Sequence, residues 1–206
     1  MKVLQFTLGP VSTNTYIVYD EESKEAVIID PADSPEVLRR AIDMNGLYPS
    51  AILLTHGHFD HIGAVSAMRD AYMIPALIYT DDKELMEDEE ANVSAMFGEG
   101  FSEWANTCIY NGQILQYLDE RFICIATPGH TAGSCCFYDE KDKLLFSGDT
   151  LFFESVGRTD FPTGSAAQLS RSIKERLFTL PDDVRVLPGH GPETTIGHEK
   201  ENNFLV

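Results

Sequence analysis

The stretch from Leu53 to Gly63, "LLTHGHFDHIG", puts three of the six histidines of a 206-residue chain, together with one aspartate, into six consecutive positions. It grows out of the apolar run Ala51 to Leu54, which reads as a buried strand. Thr55 to Phe59 then occupy the loop at the strand's carboxyl end, and Asp60 starts the following helix. Such loops are where α/β proteins collect chemistry. His56 and His58 are two apart and point the same way in an extended segment, while Asp60 and His61 are neighbours on a first helical turn. An aspartate just before a helix is by itself an ordinary N-cap. The histidines have no such plain account, because imidazoles this dense are costly to bury unpaired and repel one another when protonated. Metal ligation explains them, one pair serving one ion and the other pair a second.

A metal site needs further ligands, and the chain supplies them at similar places. "IATPGHTAGS" puts His130 after a strand near Arg121 to Ala126, "LLFSGDTLF" puts Asp149 after one near Lys143 to Ser147, and "VLPGHGP" puts His190 after one near Val184 to Val186. Taken singly, Gly-Asp reads as a turn and Pro-Gly-His as a loop. In this order, each after a strand, they support one another. Further strands are expected near Val3 to Thr7, Thr15 to Tyr19, Ala26 to Ile29, Thr107 to Tyr110 and Ser134 to Tyr138, with helices near Pro35 to Met44, Asp60 to Tyr72 and Ser165 to Leu177. Mixed strands and helices in two similar halves suggest an α/β chain of two packed sheets with helices outside, forming one domain over residues 1–206.

Composition narrows the functions. With 33 acidic against 15 basic residues the formal charge is −18, which argues against nucleic acid or an anionic membrane as partner. The first strand-like residues lack a signal-peptide core and no run reaches transmembrane length, so a cytoplasmic protein is expected. Cys108, Cys124, Cys135 and Cys136 form no CxxC pair and read as structural thiols, with Cys135 and Cys136 on opposite sides of one strand. In "TDDKELMEDEEANVSAMFGEGFSEW", Met86, Val93, Met96 and Phe97 recur at helical spacing, so an amphipathic helix with a solvated acidic face is expected. The other reading is a lid that brings Phe97, Phe101 or Trp104 to a substrate.

The pattern HxHxDH followed by GH, GD and GH elements resembles the metallo-β-lactamase fold family over essentially the whole chain. The resemblance implies an αββα sandwich, two mixed β-sheets flanked by helices, with a two-metal site at one edge. It implies His56, His58 and His130 as ligands of one metal, Asp60, His61 and His190 as ligands of the other, and Asp149 as the bridge, with Asp60 and Asp149 in the catalytic role. Asp30, in "IIDPAD", matches an aspartate that stands behind the ligands in that family; a turn before a helix explains it equally well. His198 lies outside the ligand set, as a surface or C-terminal contact. The implied cofactors are two divalent ions, zinc first, with iron or manganese also suited to His and Asp ligands.

Within the family the chain looks most like glyoxalase II, around "SGDTLFF" and "LPGHGPETTIGHEKEN". That likeness implies hydrolysis of a small-molecule thioester such as S-D-lactoylglutathione by a metal-bridging hydroxide. Two departures point to the short glyoxalase II-like branch. The sequence stops at Val206, sixteen residues past His190, without room for the C-terminal helical domain that helps hold glutathione in longer members. Thr159 and Asp160 stand where those members have an aromatic pair. Arg158 keeps the preceding basic residue, either binding a substrate carboxylate or bracing its loop through Asp160. "GRTDF" also resembles persulfide dioxygenases, which hold one iron with residues matching His56, His130 and Asp149, whereas "PGHGP" is hydrolase-like. A lactone is within reach of the same fold, and simple metal storage fits poorly because the ligand set leaves coordination positions open.

Overall fold

Runs such as Val27-Ile28-Ile29 and Ala51-Ile52-Leu53-Leu54 show no polar alternation, because both faces of their strands are covered. In a computed structural model describing residues 1–206, the first half forms β1 (Lys2–Leu8), β2 (Thr13–Tyr19), β3 (Glu25–Ile29), α1 (Pro35–Asn45), β4 (Tyr48–Leu53), α2 (Phe59–Ile62), α3 (Val65–Tyr72), β5 (Ala76–Tyr79), α4 (Lys83–Met86) and β6 (Thr107–Ile109). The second half forms β7 (Ile114–Tyr117), β8 (Glu120–Ala126), β9 (Cys135–Asp139), β10 (Leu144–Gly148), β11 (Leu151–Phe152), β12 (Ser155–Val156), α5 (Ala166–Ser172), β13 (Arg185–Pro188), β14 (Thr194–Thr195) and α6 (Ile196–Asn202). A π-helical turn, Ile173–Leu177, continues α5.

Two six-stranded mixed sheets result, in the orders β1-β2-β3-β4-β5-β6 and β14-β13-β10-β9-β8-β7, with β11 and β12 pairing as a separate hairpin. Between the sheets, Tyr16, Val18, Val27, Ile29 and Leu53 meet Phe122, Phe137, Phe146 and Leu187. The alternate residues Ile17, Ile28 and Ile52 point outward onto Leu38 and Ile42 of α1 and Val65 and Met68 of α3. On the far face Tyr138, Leu145 and Val186 are covered by Leu169, Ile173 and Leu177. This is the αββα sandwich expected from the sequence.

Strand direction decides where the loops meet. β9 is antiparallel to both β8 and β10, and β13 is parallel to β10, so β8, β10 and β13 all end on the same edge. β3 and β4 run parallel to each other in the other sheet. That edge is stitched across the sheets: Cys135 N donates to Thr55 O at 2.8 Å, Asn14 N to Gly189 O at 2.7 Å, and the Tyr16 hydroxyl to Pro188 O at 2.7 Å.

Two expected helices differ. The one expected over Asp60 to Tyr72 is split into α2 and α3 where the chain presses against the loop after β3: Ala64 N donates to Pro31 O at 2.9 Å, and a Cβ on Gly63 would overlap Ala32 O. The acidic segment is not one amphipathic helix. Its only α-helical turn is α4; Met86 and Val93 are buried, whereas Met96 and Phe97 are 70% and 53% exposed. Side chains there compete for the backbone groups a helix would use. Asp88 Oδ1 accepts from Glu90 N and Ala91 N, and Asn92 Nδ2 and Ser94 Oγ both donate to Phe101 O, at 2.8 and 2.9 Å. β5, β7 and α6 were not expected: β5 and β7 have four residues each, too few for a clear period. No helix is long and apolar enough to cross a membrane.

The cysteines divide as their surroundings dictate. Cys135 faces the inter-sheet core and Cys136 the outer one, so the two neighbours do point to opposite sides. Burial pushes the Cys136 thiol up to about 12 and raises Cys135 strongly, while Cys108 is exposed. A chromogenic disulfide reagent at pH 8 is therefore expected to find one fast thiol per folded chain and four after unfolding; a second fast thiol in the folded protein would contradict the burial described.

Candidate metal centre

The loop after β4 is set by Asp30, which stands beyond β3 in the left-handed region at φ 48°. Its Oδ1 accepts from Thr55 N at 2.8 Å and its Oδ2 from Thr55 Oγ1 at 2.6 Å. From there His56, His58 and His61 turn into the edge, all buried. His130 Nε2 lies 2.8 Å from His58 Nδ1 and 3.2 Å from His56 Nε2. His61 Nε2 lies 3.4 Å from Asp60 Oδ2 and 3.3 Å from Asp149 Oδ1, and His190 Nε2 lies 3.3 Å from Asp60 Oδ2. Asp149 Oδ2 is 3.5 Å from both His130 Nε2 and His190 Nε2. Within each of three sets (His56, His58, His130; Asp60, His61, His190; and His56, His61, Asp149) the ligand atoms lie within 4.8 Å of one another. Four separate stretches of sequence thus converge on one cluster.

Hydrogen bonds behind the cluster fix the imidazole tautomers. The Arg158 carbonyl can only accept, so His130 Nδ1 donates to it, at 2.7 Å. His61 Nδ1 donates to Asp30 Oδ2 at 2.9 Å. The single Thr55 hydroxyl proton is committed to Asp30, so His56 Nδ1 donates to Thr55 Oγ1, at 3.1 Å. All three rings then turn an Nε2 lone pair towards the cluster, the arrangement metal-ligating histidines use.

The charges divide the histidines into two groups. His56 is held well below the usual imidazole range by burial and by the surrounding histidines, and burial brings His58 down to about 3. Burial also opposes charge on His61 and His190, but neighbouring carboxylates outweigh it and raise both. The same histidines keep Asp60 and Asp149 below the usual carboxylate range in spite of burial. His61 Nε2 and Asp149 Oδ1 face each other, buried and without a hydrogen-bond partner. The neutral lone pairs of His56 and His58 and the ionised carboxylates are donors that divalent transition metals take, and at His61 and His190 a bound cation would replace the proton that the carboxylates favour.

Three supporting residues escaped the sequence reading. Thr13 Oγ1 donates to Asp60 Oδ2 at 2.6 Å, so Asp60 serves no helix cap. Thr55 links His56 to Asp30, as above. Asp82, fully buried, accepts from Gly57 N at 3.0 Å, Gly133 N at 2.7 Å and Thr131 Oγ1 at 2.7 Å, tying the loop of His56 and His58 to the loop of His130. Asp82 was masked by the acidic run around it. Close approach also demands glycine at two places: a Cβ on Gly148, at φ 49°, would overlap the Thr55 side chain, and one on Gly189 would overlap Asp149 Oδ1.

Other singled-out residues sit at the rim. Arg158 pairs with Asp160 through two hydrogen bonds of 2.7 Å, Nε to Oδ1 and Nη2 to Oδ2, and its guanidinium lies 3.9 Å above the Phe161 ring. His198 stacks on Phe153 and contacts Glu154 Oε1 at 3.0 Å, away from the cluster. Phe97 lines the cleft over the cluster and Phe101 the cavity beside it, whereas Trp104 stacks with Arg69 of α3.

An αββα sandwich with a His and Asp cluster at one edge defines a class, and the sequence model of the metallo-beta-lactamase superfamily matches residues 8–190. The chain belongs to that superfamily. It is 36% identical over 205 residues to a probable metallo-hydrolase of Bacillus subtilis, covering 98% of this chain and 96% of that protein. It is 37% identical to hydroxyacylglutathione hydrolase GloC of Haemophilus influenzae, covering 92% of this chain and 91% of that one. Among solved structures, BLEG-1 B3 metallo-beta-lactamase superposes with a TM-score of 0.94 at 41% identity, over 99% of both chains. TTHA1623 in a di-iron-bound form superposes with a TM-score of 0.89 at 39% identity, over 99% of this chain and all of the other. The superfamily binds divalent metals, and the Bacillus subtilis relative is named a probable metallo-hydrolase.

Thr55→Val keeps the shape of the side chain but removes the oxygen that orients His56. It is expected to weaken binding of one metal ion by about 10–100-fold, read by competition with a chromogenic chelator. Unchanged affinity for both ions would show that the hydroxyl has no part in holding the cluster.

Proposed function

We propose that this protein is a cytoplasmic thioesterase of the glyoxalase II type, acting as one domain on a small-molecule thioester such as S-D-lactoylglutathione. In this reading His56, His58 and His130 hold one divalent ion, Asp60, His61 and His190 hold a second, and Asp149 reaches both. Zinc suits the donors, and the di-iron-bound neighbour supports iron as an alternative. When bound, the ions lower the pKa of water from about 15.7 towards about 7 and act as Lewis acids towards a carbonyl oxygen.

The observation that carries the thioester reading is the lining of the cleft over the cluster, a cavity of about 320 Å³. Apart from the cluster residues themselves, its only titratable side chain is Arg158. No free histidine, carboxyl or tyrosine stands ready to protonate a departing group. A thiol of pKa near 8.5 leaves unprotonated at neutral pH, whereas an alcohol or amine would need an acid there. Thr13, Thr55, Asp30 and the Arg158 carbonyl keep the donors in place, and Phe152 and Phe161 give the rest of the cleft an apolar surface. The name of the Haemophilus influenzae relative supports the same chemistry. The competing reading is a mononuclear iron persulfide dioxygenase; the second set of donors, Asp60, His61 and His190, favours the hydrolase.

Purified, metal-replete protein is expected to release thiol from S-D-lactoylglutathione or a simple acyl thioester, with metal content measured on the same sample. Removing the metal with a chelator should abolish release, and re-addition should restore it. Asp149→Asn should abolish turnover and weaken at least one metal site; full activity with two metals bound would sink the role given to Asp149.

A further inference from the structure

The walls of the cleft are apolar and aromatic above a polar floor. The Phe152 ring stands edge-on to His190, centroids 5.9 Å apart, and the Phe161 ring edge-on to His58 at 5.7 Å. Phe59 and Phe97 stack at 4.6 Å to form a third side, and Val156 adds an aliphatic surface. Whatever part of a substrate lies against these walls is desolvated, which favours hydrocarbon and disfavours charge.

The charges at the rim point the same way. Arg158 is the only lysine or arginine lining this cleft, and the Nε and Nη2 edge of its guanidinium is committed to Asp160 while its face lies on Phe161. An approaching carboxylate therefore meets a neutral ion pair instead of a free cation. A neighbouring cavity of about 350 Å³ shares Phe59, Asp60 and Phe97 with the first; it is lined by Asp33 and Glu99 and by no lysine or arginine. The chain as a whole carries −18. A thiol with two carboxylates, as in glutathione, thus has no unpaired side-chain cation to bind in either cavity.

Resting on the thioester reading above, we infer that the cleft takes the uncharged, apolar acyl group of a thioester, and that Asp160 screens the site against carboxylate-bearing substrates by occupying Arg158. Asp160 here is a specificity residue that acts through Arg158.

The test uses the metal-replete full chain with acetyl, butanoyl and hexanoyl thioesters of N-acetylcysteamine, a neutral thiol, beside S-D-lactoylglutathione. Expected is a rise in kcat/KM along the series of up to about fourfold per methylene, with S-D-lactoylglutathione at least about tenfold below the hexanoyl thioester. Asp160→Asn should free Arg158 and shift the ratio towards S-D-lactoylglutathione by about three- to tenfold, while Arg158→Gln in the same background should cancel that shift. A flat or falling series, or a preference of the unmodified protein for S-D-lactoylglutathione, overturns this inference and leaves the thioesterase reading standing. Turnover of none of these thioesters by metal-replete protein overturns both.

Discussion

Asp30 is a carboxylate with 2% exposure whose two oxygens take three hydrogen bonds, from Thr55 N, Thr55 Oγ1 and His61 Nδ1. Burying a carboxylate is costly unless it is well bonded, and here the bonding is what joins strand ends to chemistry. The backbone around it is equally fixed: Asp30 N donates to Leu53 O at 3.1 Å, and Asp30 O accepts from Thr15 Oγ1 at 2.6 Å. One residue therefore locks the ends of β3 and β4 together, sets the direction of the histidine loop, and orients His61 directly and His56 through Thr55. The turn-like backbone and the place behind the ligands, which competed in the sequence, are both real features of Asp30.

The cluster is expensive in itself. Five imidazoles and two carboxylates with facing atoms 2.8 to 3.5 Å apart bring like groups together in a low-dielectric edge, where His56 and His58 are kept from protonation by burial and by their neighbours. The rest of the molecule offsets this cost with two apolar layers outside the sheets and one between them. A chain of 206 residues can bury roughly 70% of its surface on folding, so the scaffold does not depend on the cluster for its core. That division lets the edge collect groups that are poorly paired among themselves but well placed for a divalent ion.

Much of this was legible from residues alone, for identifiable reasons. A both-faces-buried strand reads as an apolar run, and a Gly-His or Gly-Asp after such a run marks a loop at a strand end, so the seven clustered residues and the sandwich could be read in order. Helix continuity was less legible. Gly63 and Ala64 break a helix because Pro31 and Ala32, far earlier in the chain, press on them. In the acidic segment a spacing that fits a helix is overruled by Asp88, Asn92 and Ser94, whose side chains take backbone partners. Short elements such as β5 and β7 carry too few residues to show a period, and Thr13 and Asp82 carry no motif at all because their partners are remote in sequence.

Asp82 has a mechanical meaning beyond its bonds. It begins the segment that ends on the wall of the cleft, and its carboxylate clamps the loop of His56 and His58 to that of His130 while the residues after α4 run out to Phe97 at the rim. Anchor and rim thus belong to one stretch of chain but to different jobs. Changes confined to the exposed residues Ala95 to Glu99 can remodel the outer surface of the cleft, whereas Asn92, whose carbonyl accepts from Phe59 N at 3.0 Å, belongs with the clamp. The wall that meets a substrate can therefore vary over a short exposed stretch while the residues that hold the histidine loops stay fixed.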